Sequence, residues 1–129
     1  MTTETLAEFA ARKDAENTIQ LNIIKYSMML CDSLQQNFQQ RNHGKVGGFD
    51  APNYTWALDS SGRKYHKIHM YINGKRDSIH AFIDKKTGEV YKPASTKAPA
   101  KGVRFNLLII EQREWLFQHA DWAGGYLYR

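Results

Sequence analysis

The alternation of side chains between Tyr54 and Lys92 constrains this chain more than any other stretch. It reads YTWALDSSGRKYHKIHMYINGKRDSIHAFIDKKTGEVYK. Four short runs rich in aromatic and β-branched residues are divided by three turn signals: Asp59-Ser60-Ser61-Gly62, Asn73-Gly74 and Lys85-Lys86-Thr87-Gly88. Such runs between such turns predict an antiparallel meander of four strands over 54–92.

Successive side chains of a strand point to opposite faces. In the second run, Lys64, His66, Ile68, Met70 and Ile72 make one set, and Arg63, Tyr65, Lys67, His69 and Tyr71 the other. The first set is mostly apolar; the second alternates basic and aromatic residues. The third run sorts likewise, with Ile79, Ala81 and Ile83 against Ser78, His80 and Phe82. A register that keeps the apolar sets together sets Asn73 against Ser78, Ile72 against Ile79, Met70 against Ala81 and Ile68 against Ile83. Asp84 then faces Glu89, and a three-residue connection at Ser60 to Gly62 sets Trp56 against His66 and Tyr54 against Ile68. One face is core. The other carries Arg63, Tyr65, Lys67, His69, Tyr71, His80, Phe82 and Tyr91.

A face of that kind suits unpaired bases, which all offer a flat π surface to aromatic rings while Lys and Arg neutralise phosphates. It would also suit a sheet covered by a helix or a second subunit. The proposed stacking residues are Tyr65, Tyr71, Phe82 and Tyr91, with Arg63, His69 and His80 beside them. The proposed phosphate contacts are Lys67, Lys75, Arg76, Lys85, Lys86, Lys92, Lys97, Lys101 and Arg104.

Charge falls in the same place. The 129-residue chain carries a net +5. Met1 to Asn42 holds 4 Lys/Arg against 5 Asp/Glu, His43 to Phe105 holds 12 against 5, and Asn106 to Arg129 holds 2 against 3. The excess lies in the sheet and the loop after it, so a polyanion would meet the sheet rather than the helices. The length fits one domain, 1–129. No apolar run approaches the roughly 18 residues of a membrane span, and MTTETLAEF lacks the charged and apolar regions of a secretory signal. The single cysteine, Cys31, excludes an internal disulfide and sits within a helical apolar pattern.

The segment 1–42 reads as a helical arm, with Thr2 or Thr3 as cap and room for an interruption near Ala15 to Thr18. Ile19, Ile23, Tyr26, Leu30, Leu34 and Phe38 form one apolar stripe. Leu21, Ile24, Met28 and Cys31 form a second. Two stripes predict two partners: the chain's own sheet, and a neighbour's helix through Leu21, Ile24 and Met28. A homo-oligomer, dimer or tetramer, is therefore expected. His43 to Pro52 reads as a glycine loop without the P-loop signature, so no nucleotide site of that kind is expected. The basic loop 93–108 is broken by Pro93 and Pro99. A helix over 109–120 follows, with Ile109, Ile110 and Leu116 inward and Trp115, Phe117 and Trp122 in the core. The tail GGYLYR is expected to add an edge strand or dock on a partner.

Four strings, SIHAFID, KKTGEVYKPAS, APAKGVRFNLL and ADWAGGYLYR, carry a resemblance. Over Arg63 to Arg129 the chain resembles a family of small proteins encoded by tailed bacteriophages, mostly without assigned function. It is also similar to the non-OB single-stranded-DNA-binding proteins of podovirus-type phages. The resemblance implies ssDNA binding in the cytoplasm of an infected bacterial host, tied to phage transcription or replication. It transfers no individual site residue, and the N-terminal helix falls outside it.

Catalysis and metal binding find little support. His66 and His69 fall on opposite strand faces and cannot share one zinc ion. His69 and His80 share a face with no Cys or second carboxylate beside them. Cys31 on an apolar stripe is a poor nucleophile. The expectation is an α+β domain with no catalytic residues, metal or cofactor that binds single-stranded nucleic acid, ssDNA above all. The alternatives are a protein-interaction module regulating host or phage RNA polymerase, and an RNA-binding protein.

Overall fold

Thr5 starts the first helix, α1 (Leu6–Arg41), by a reciprocal cap. Its Oγ1 accepts the Glu8 N–H at 3.1 Å, and Glu8 Oε2 accepts the Thr5 N–H at 3.4 Å. The cap is thus Thr5 rather than Thr2 or Thr3, because only Thr5 stands three residues before a glutamate that can return the bond. The computed structural model describes residues 3–41 and 52–128. Thr2, the glycine loop up to Ala51 and Arg129 lie outside the described residues.

Without Gly or Pro, α1 runs unbroken for 36 residues, about 54 Å at the usual rise. No interruption occurs at Ala15 to Thr18. Only its second half is packed: Ile23, Ser27, Leu30, Cys31, Leu34 and Phe38 are buried. The steps of three and four between them keep one stripe against the sheet. Ser27 is buried without penalty because its hydroxyl donates to the Ile23 carbonyl at 2.7 Å. Cys31 joins this core instead of a second stripe, and burial pushes its thiol pKa up to about 12. Ile19, expected on the packed stripe, is exposed. The helix leaves the sheet one turn before Ile23.

The sheet has five strands in sequence order, all antiparallel: β1 (Tyr54–Asp59), β2 (Tyr65–Ile72), β3 (Lys75–Asp84), β4 (Glu89–Tyr91) and β5 (Phe105–Asn106). The fold is α+β as expected, with five strands rather than four. The fifth is two residues long and follows a loop that doubles back through a Pro93–Pro99 bridge. So short a strand leaves no periodicity to read.

Register departs from expectation in two hairpins. Trp56 faces Met70 and Tyr54 faces Ile72, because the last pair is Asp59 with Lys67 and the whole of Ser60 to His66, rather than Ser60 to Gly62, lies between the paired residues. The β2–β3 turn is the two-residue Asn73-Gly74, with φ of 53° and 80°. These left-handed angles match the strand twist and favour Asn-Gly. Ile68 therefore faces Ala81 and Lys67 faces Phe82. Two register shifts in β3 leave Asp77 and His80 without a partner opposite, as bulges do. The β3–β4 hairpin pairs Ile83 with Val90 and Phe82 with Tyr91, as expected.

α1 covers the face bearing Trp56, Ile68, Ala81, Ile83 and Val90. Phe38, Tyr54 and Trp122 meet at centroid distances of 5.0–5.4 Å. Two amides just before Phe38 act as ties: Gln35 Nε2 donates to the Tyr54 carbonyl and Asn37 Oδ1 accepts the Trp122 backbone N–H. The second helix, α2 (Ile110–His119), buries Leu116. Ile109, Ile110 and Trp115 are exposed, contrary to expectation. The tail adds no strand: it turns into a 3-10 helix over Gly125–Leu127 and sinks Tyr126 and Leu127 into the chain's own core. Among the described residues no helix is long and apolar enough to cross a membrane.

Candidate nucleic-acid interface

The sheet face away from α1 is assembled by alternation. Tyr65, Lys67, His69 and Tyr71 come from β2, Phe82 from β3 and Tyr91 from β4, and paired residues share the face. Tyr65 meets Phe82 and Tyr91 edge-on, at 5.7 and 6.0 Å. These are favourable aromatic geometries, and they have a consequence for access.

Phe82 has no exposed surface. Tyr65 and Tyr91 flank it, and the Lys67 ammonium sits 5.6 Å from its ring centre. The same ammonium donates to the Thr96 carbonyl at 3.0 Å, which ties the basic loop to this face. The expected stacking role of Phe82 is therefore overturned: it is the base of a small second core. His69 is buried too, with Nε2 3.2 Å from Asp59 Oδ2. The Ser61 N–H, then the Ser61 side chain and His69, hold the Asp59 carboxyl below the usual carboxylate range. His80 leaves the face altogether. At its bulge the ring turns to the core side, stacks on Tyr126 at 5.6 Å and shares a 2.8 Å hydrogen bond with its hydroxyl. His69 and His80 thus do not face each other, and among the described residues no group of three His, Cys, Asp or Glu is placed to hold a metal ion.

What remains open on this face is Tyr65, Tyr71 and Tyr91, each half-buried. Tyr91 donates its hydroxyl to Glu89 Oε2 at 3.0 Å, and burial followed by that carboxylate pushes its pKa up to about 12. Lys75 and Arg76 stand exposed at the hairpin tip, with Arg76 opposite Tyr71. Lys97 and Lys101 are exposed on the loop that Lys67 ties down. Lys92 lies over the Tyr128 ring at 4.1 Å. Arg104 is partly buried and its N–H donates to the Val90 carbonyl, closing the loop onto β4.

The other three expected cations lie elsewhere. Arg63, Lys85 and Lys86 line a cavity of about 560 Å³ on the helix side, with Lys64, Gln20, Ile24 and His66. Lys85 is engaged there, donating to the carbonyls of Ser60, at 2.6 Å, and of Gly62. Alternation sorts Lys64 with the core set, but β2 begins one residue later, so the rule does not reach it. The connection runs beyond its Ser-Ser-Gly signal, and nothing in that signal marks where it ends.

Ion pairs are distributed unevenly. Those among the described residues involve Arg12, Lys13 and His69. None of Lys67, Lys75, Arg76, Lys85, Lys86, Lys92, Lys97 or Lys101 pairs with a described carboxylate. The arrangement can offer ring faces beside cations that pair with no described carboxylate. No curated protein and no solved structure matches this chain. A family model does match, over residues 6–129, and the chain belongs to that family of unknown function, DUF7717.

Proposed function

We propose that this protein binds single-stranded nucleic acid, ssDNA above all, with little sequence preference, on the sheet face away from α1. One observation carries the reading: three half-exposed tyrosines, Tyr65, Tyr71 and Tyr91, lie on the sheet whose hairpin tip and β4–β5 loop carry Lys75, Arg76, Lys97 and Lys101, none of which pairs with a described carboxylate. Bases stack on the tyrosines, and the phosphates run between the hairpin tip at Lys75 and Arg76 and the loop at Lys97 and Lys101. The setting is a phage-infected bacterium, in support of transcription or replication, which the resemblance of Arg63 to Arg129 motivates. No catalytic step is proposed. Fluorescence anisotropy with ssDNA, dsDNA and ssRNA of matched sequence, repeated across a salt series, tests this. The strand-binding reading requires tighter binding to the single strands and a steep fall with salt. Flat, salt-insensitive curves would overturn it.

A second reading has its own observation. Ile109 and Ile110 are exposed at the start of α2, Trp115 in its middle and Val103 on the preceding loop. Exposed tryptophan is a common anchor of protein interfaces. An interaction module acting on RNA polymerase would use this side and would bind it with shallow salt dependence. We also propose self-association through α1, where Leu21 and Met28 are 65% and 55% exposed. Ile24, the third expected contact, is half-buried and lines the helix-side cavity instead.

A further inference from the structure

The helix-side cavity has the construction of a small-ligand site. Lys85 clamps the β1–β2 connection by donating to the carbonyls of Ser60 and Gly62, and its own N–H donates to the Lys64 carbonyl at 3.0 Å. Ser60 Oγ lies 2.7 Å from His66 Nδ1, which fixes the imidazole in the cavity wall. On the far side, Asp84 Oδ1 accepts the N–H groups of Lys86 and Thr87 at 2.8 and 3.0 Å. These bonds hold the two connections side by side, and α1 closes the space with Ile24 and Gln20.

The result is an apolar floor under a cationic rim. Arg63 and Lys86 are exposed at the opening and pair with no described carboxylate, whereas the Lys64 ammonium lies 5.3 Å from the Tyr65 ring centre, toward the other face. Four cations line the cavity against one carboxylate, and Asp84 already accepts two backbone donors. Arginine binds a phosphate through paired donors and lysine as a point charge. A volume of about 560 Å³ exceeds what an inorganic anion needs and lies in the range of small-molecule sites. Ile24, the Gln20 stem and the flat His66 ring suit a planar, weakly polar body.

We propose that this cavity binds a nucleoside monophosphate, its phosphate held by Arg63 and Lys86 and its base lying toward Ile24 and His66. The ligand is a free mononucleotide or the 5′-phosphorylated end of a strand. Only the second source rests on the strand-binding reading above.

The test uses the full chain and His66 as reporter. Burial, and after it the positive charge of Lys85, keeps the His66 imidazole below its ordinary pKa. The charged groups lining the cavity with it are Arg63, Lys64, Asp84, Lys85 and Lys86; α1 contributes only uncharged side chains. A bound phosphate opposes those cations, so titration with dTMP should move the His66 ring resonances and raise the pH at which they titrate. Thymidine, lacking the phosphate, should not. Arg63→Gln with Lys86→Gln, both at exposed positions, should weaken dTMP binding by roughly tenfold or more. In parallel, anisotropy compares one oligonucleotide with a 5′-phosphate and with a 5′-hydroxyl. A several-fold preference for the phosphorylated end, abolished by the double substitution, assigns the strand end. Equal affinities with dTMP binding retained assign the free nucleotide. The inference is overturned if dTMP leaves His66 unmoved and the two oligonucleotides bind alike, if thymidine competes equally, or if inorganic phosphate reproduces the whole effect. Loss of binding to the 5′-hydroxyl strand alone counts against the strand-binding reading and leaves the cavity untouched.

Discussion

Phe82 and Tyr71 occupy the same face of the sheet with opposite access to solvent. Phe82 is fully buried beneath Tyr65, Tyr91 and Lys67, whereas Tyr71 stands half-open opposite Arg76. Phe82→Ala should therefore act as a core deletion, costing about 3–5 kcal/mol of stability in denaturant melts. Tyr71→Ala should leave the fold intact and cost about 1–3 kcal/mol of ssDNA affinity. A Tyr71→Ala variant that stays folded and binds like the parent would remove stacking from the proposal. His80 gives a second residue-level expectation. Burial against Tyr126 lowers its pKa to about 4. The unfolded chain takes up a proton near the ordinary histidine value, while the folded chain resists until about pH 4. Its contribution is thus complete above pH 6.5 and is lost as pH falls from there toward 4, on the order of 3 kcal/mol in all. Thermal melts across that window should show the decline, and His80→Gln should flatten it.

At the scale of elements, the loop between β4 and β5 carries two exposed lysines, Lys97 and Lys101. Its anchors are the Ala100 N–H on the Lys92 carbonyl, the Arg104 N–H on the Val90 carbonyl, and Lys67 on Thr96. Lys97 and Lys101 side chains play no part in them. Substituting both by glutamine should spare stability and weaken ssDNA binding evenly across sequences. It should also reduce the salt slope by about one unit for each phosphate that is no longer neutralised. An unchanged slope would make this loop a solvated connector. Lys67→Gln differs: it removes the tie to Thr96 and the cation over Phe82, so it should loosen the loop as well as lower affinity.

For the molecule as a whole, the feature to explain is an α-helix twice as long as the sheet requires. Residues 6–15 and 17–21 are all exposed, including Leu6, Phe9, Ile19 and Leu21. Burying one such side chain contributes about 1.5–3 kcal/mol, so several together can hold a second copy. Closed two-fold symmetry makes a dimer the simplest assembly, and two basic sheets on one particle raise avidity for a long strand. Leu21→Glu with Met28→Glu should split the particle in light scattering without loss of helicity. It should also weaken binding to long ssDNA more than to short oligonucleotides. A parent protein that is monomeric at tens of micromolar would rule out self-association through α1.

Alternation alone assigns most residues of the meander to the right sheet face, but it does not say which residues meet across strands. The observed β1–β2 pairing is offset by four residues from the expected one, and the base of β2–β3 by two. Both offsets are even, and a strand repeats every two residues, so Ile68 and Ala81 remained in the core and Lys67 and Tyr65 outside it. Where the bulge at His80 breaks that parity, alternation assigns the wrong face to His80 and, beyond it, to Ile79, which lies opposite His69, and to Ser78, which lies opposite Met70. Alternation, turn chemistry and the absence of Gly and Pro from α1 are local signals, and they were enough for an α+β meander under a long helix. Access was not local. Whether Phe82 is a platform or a core residue depends on Lys67 reaching Thr96, 29 residues away. The gathering of Arg63 and Lys86 around one cavity depends on Lys85 grasping a loop 23 and 25 residues earlier. Those distances close only when the chain folds, so tertiary structure alone decided which cations and rings stand open to a ligand.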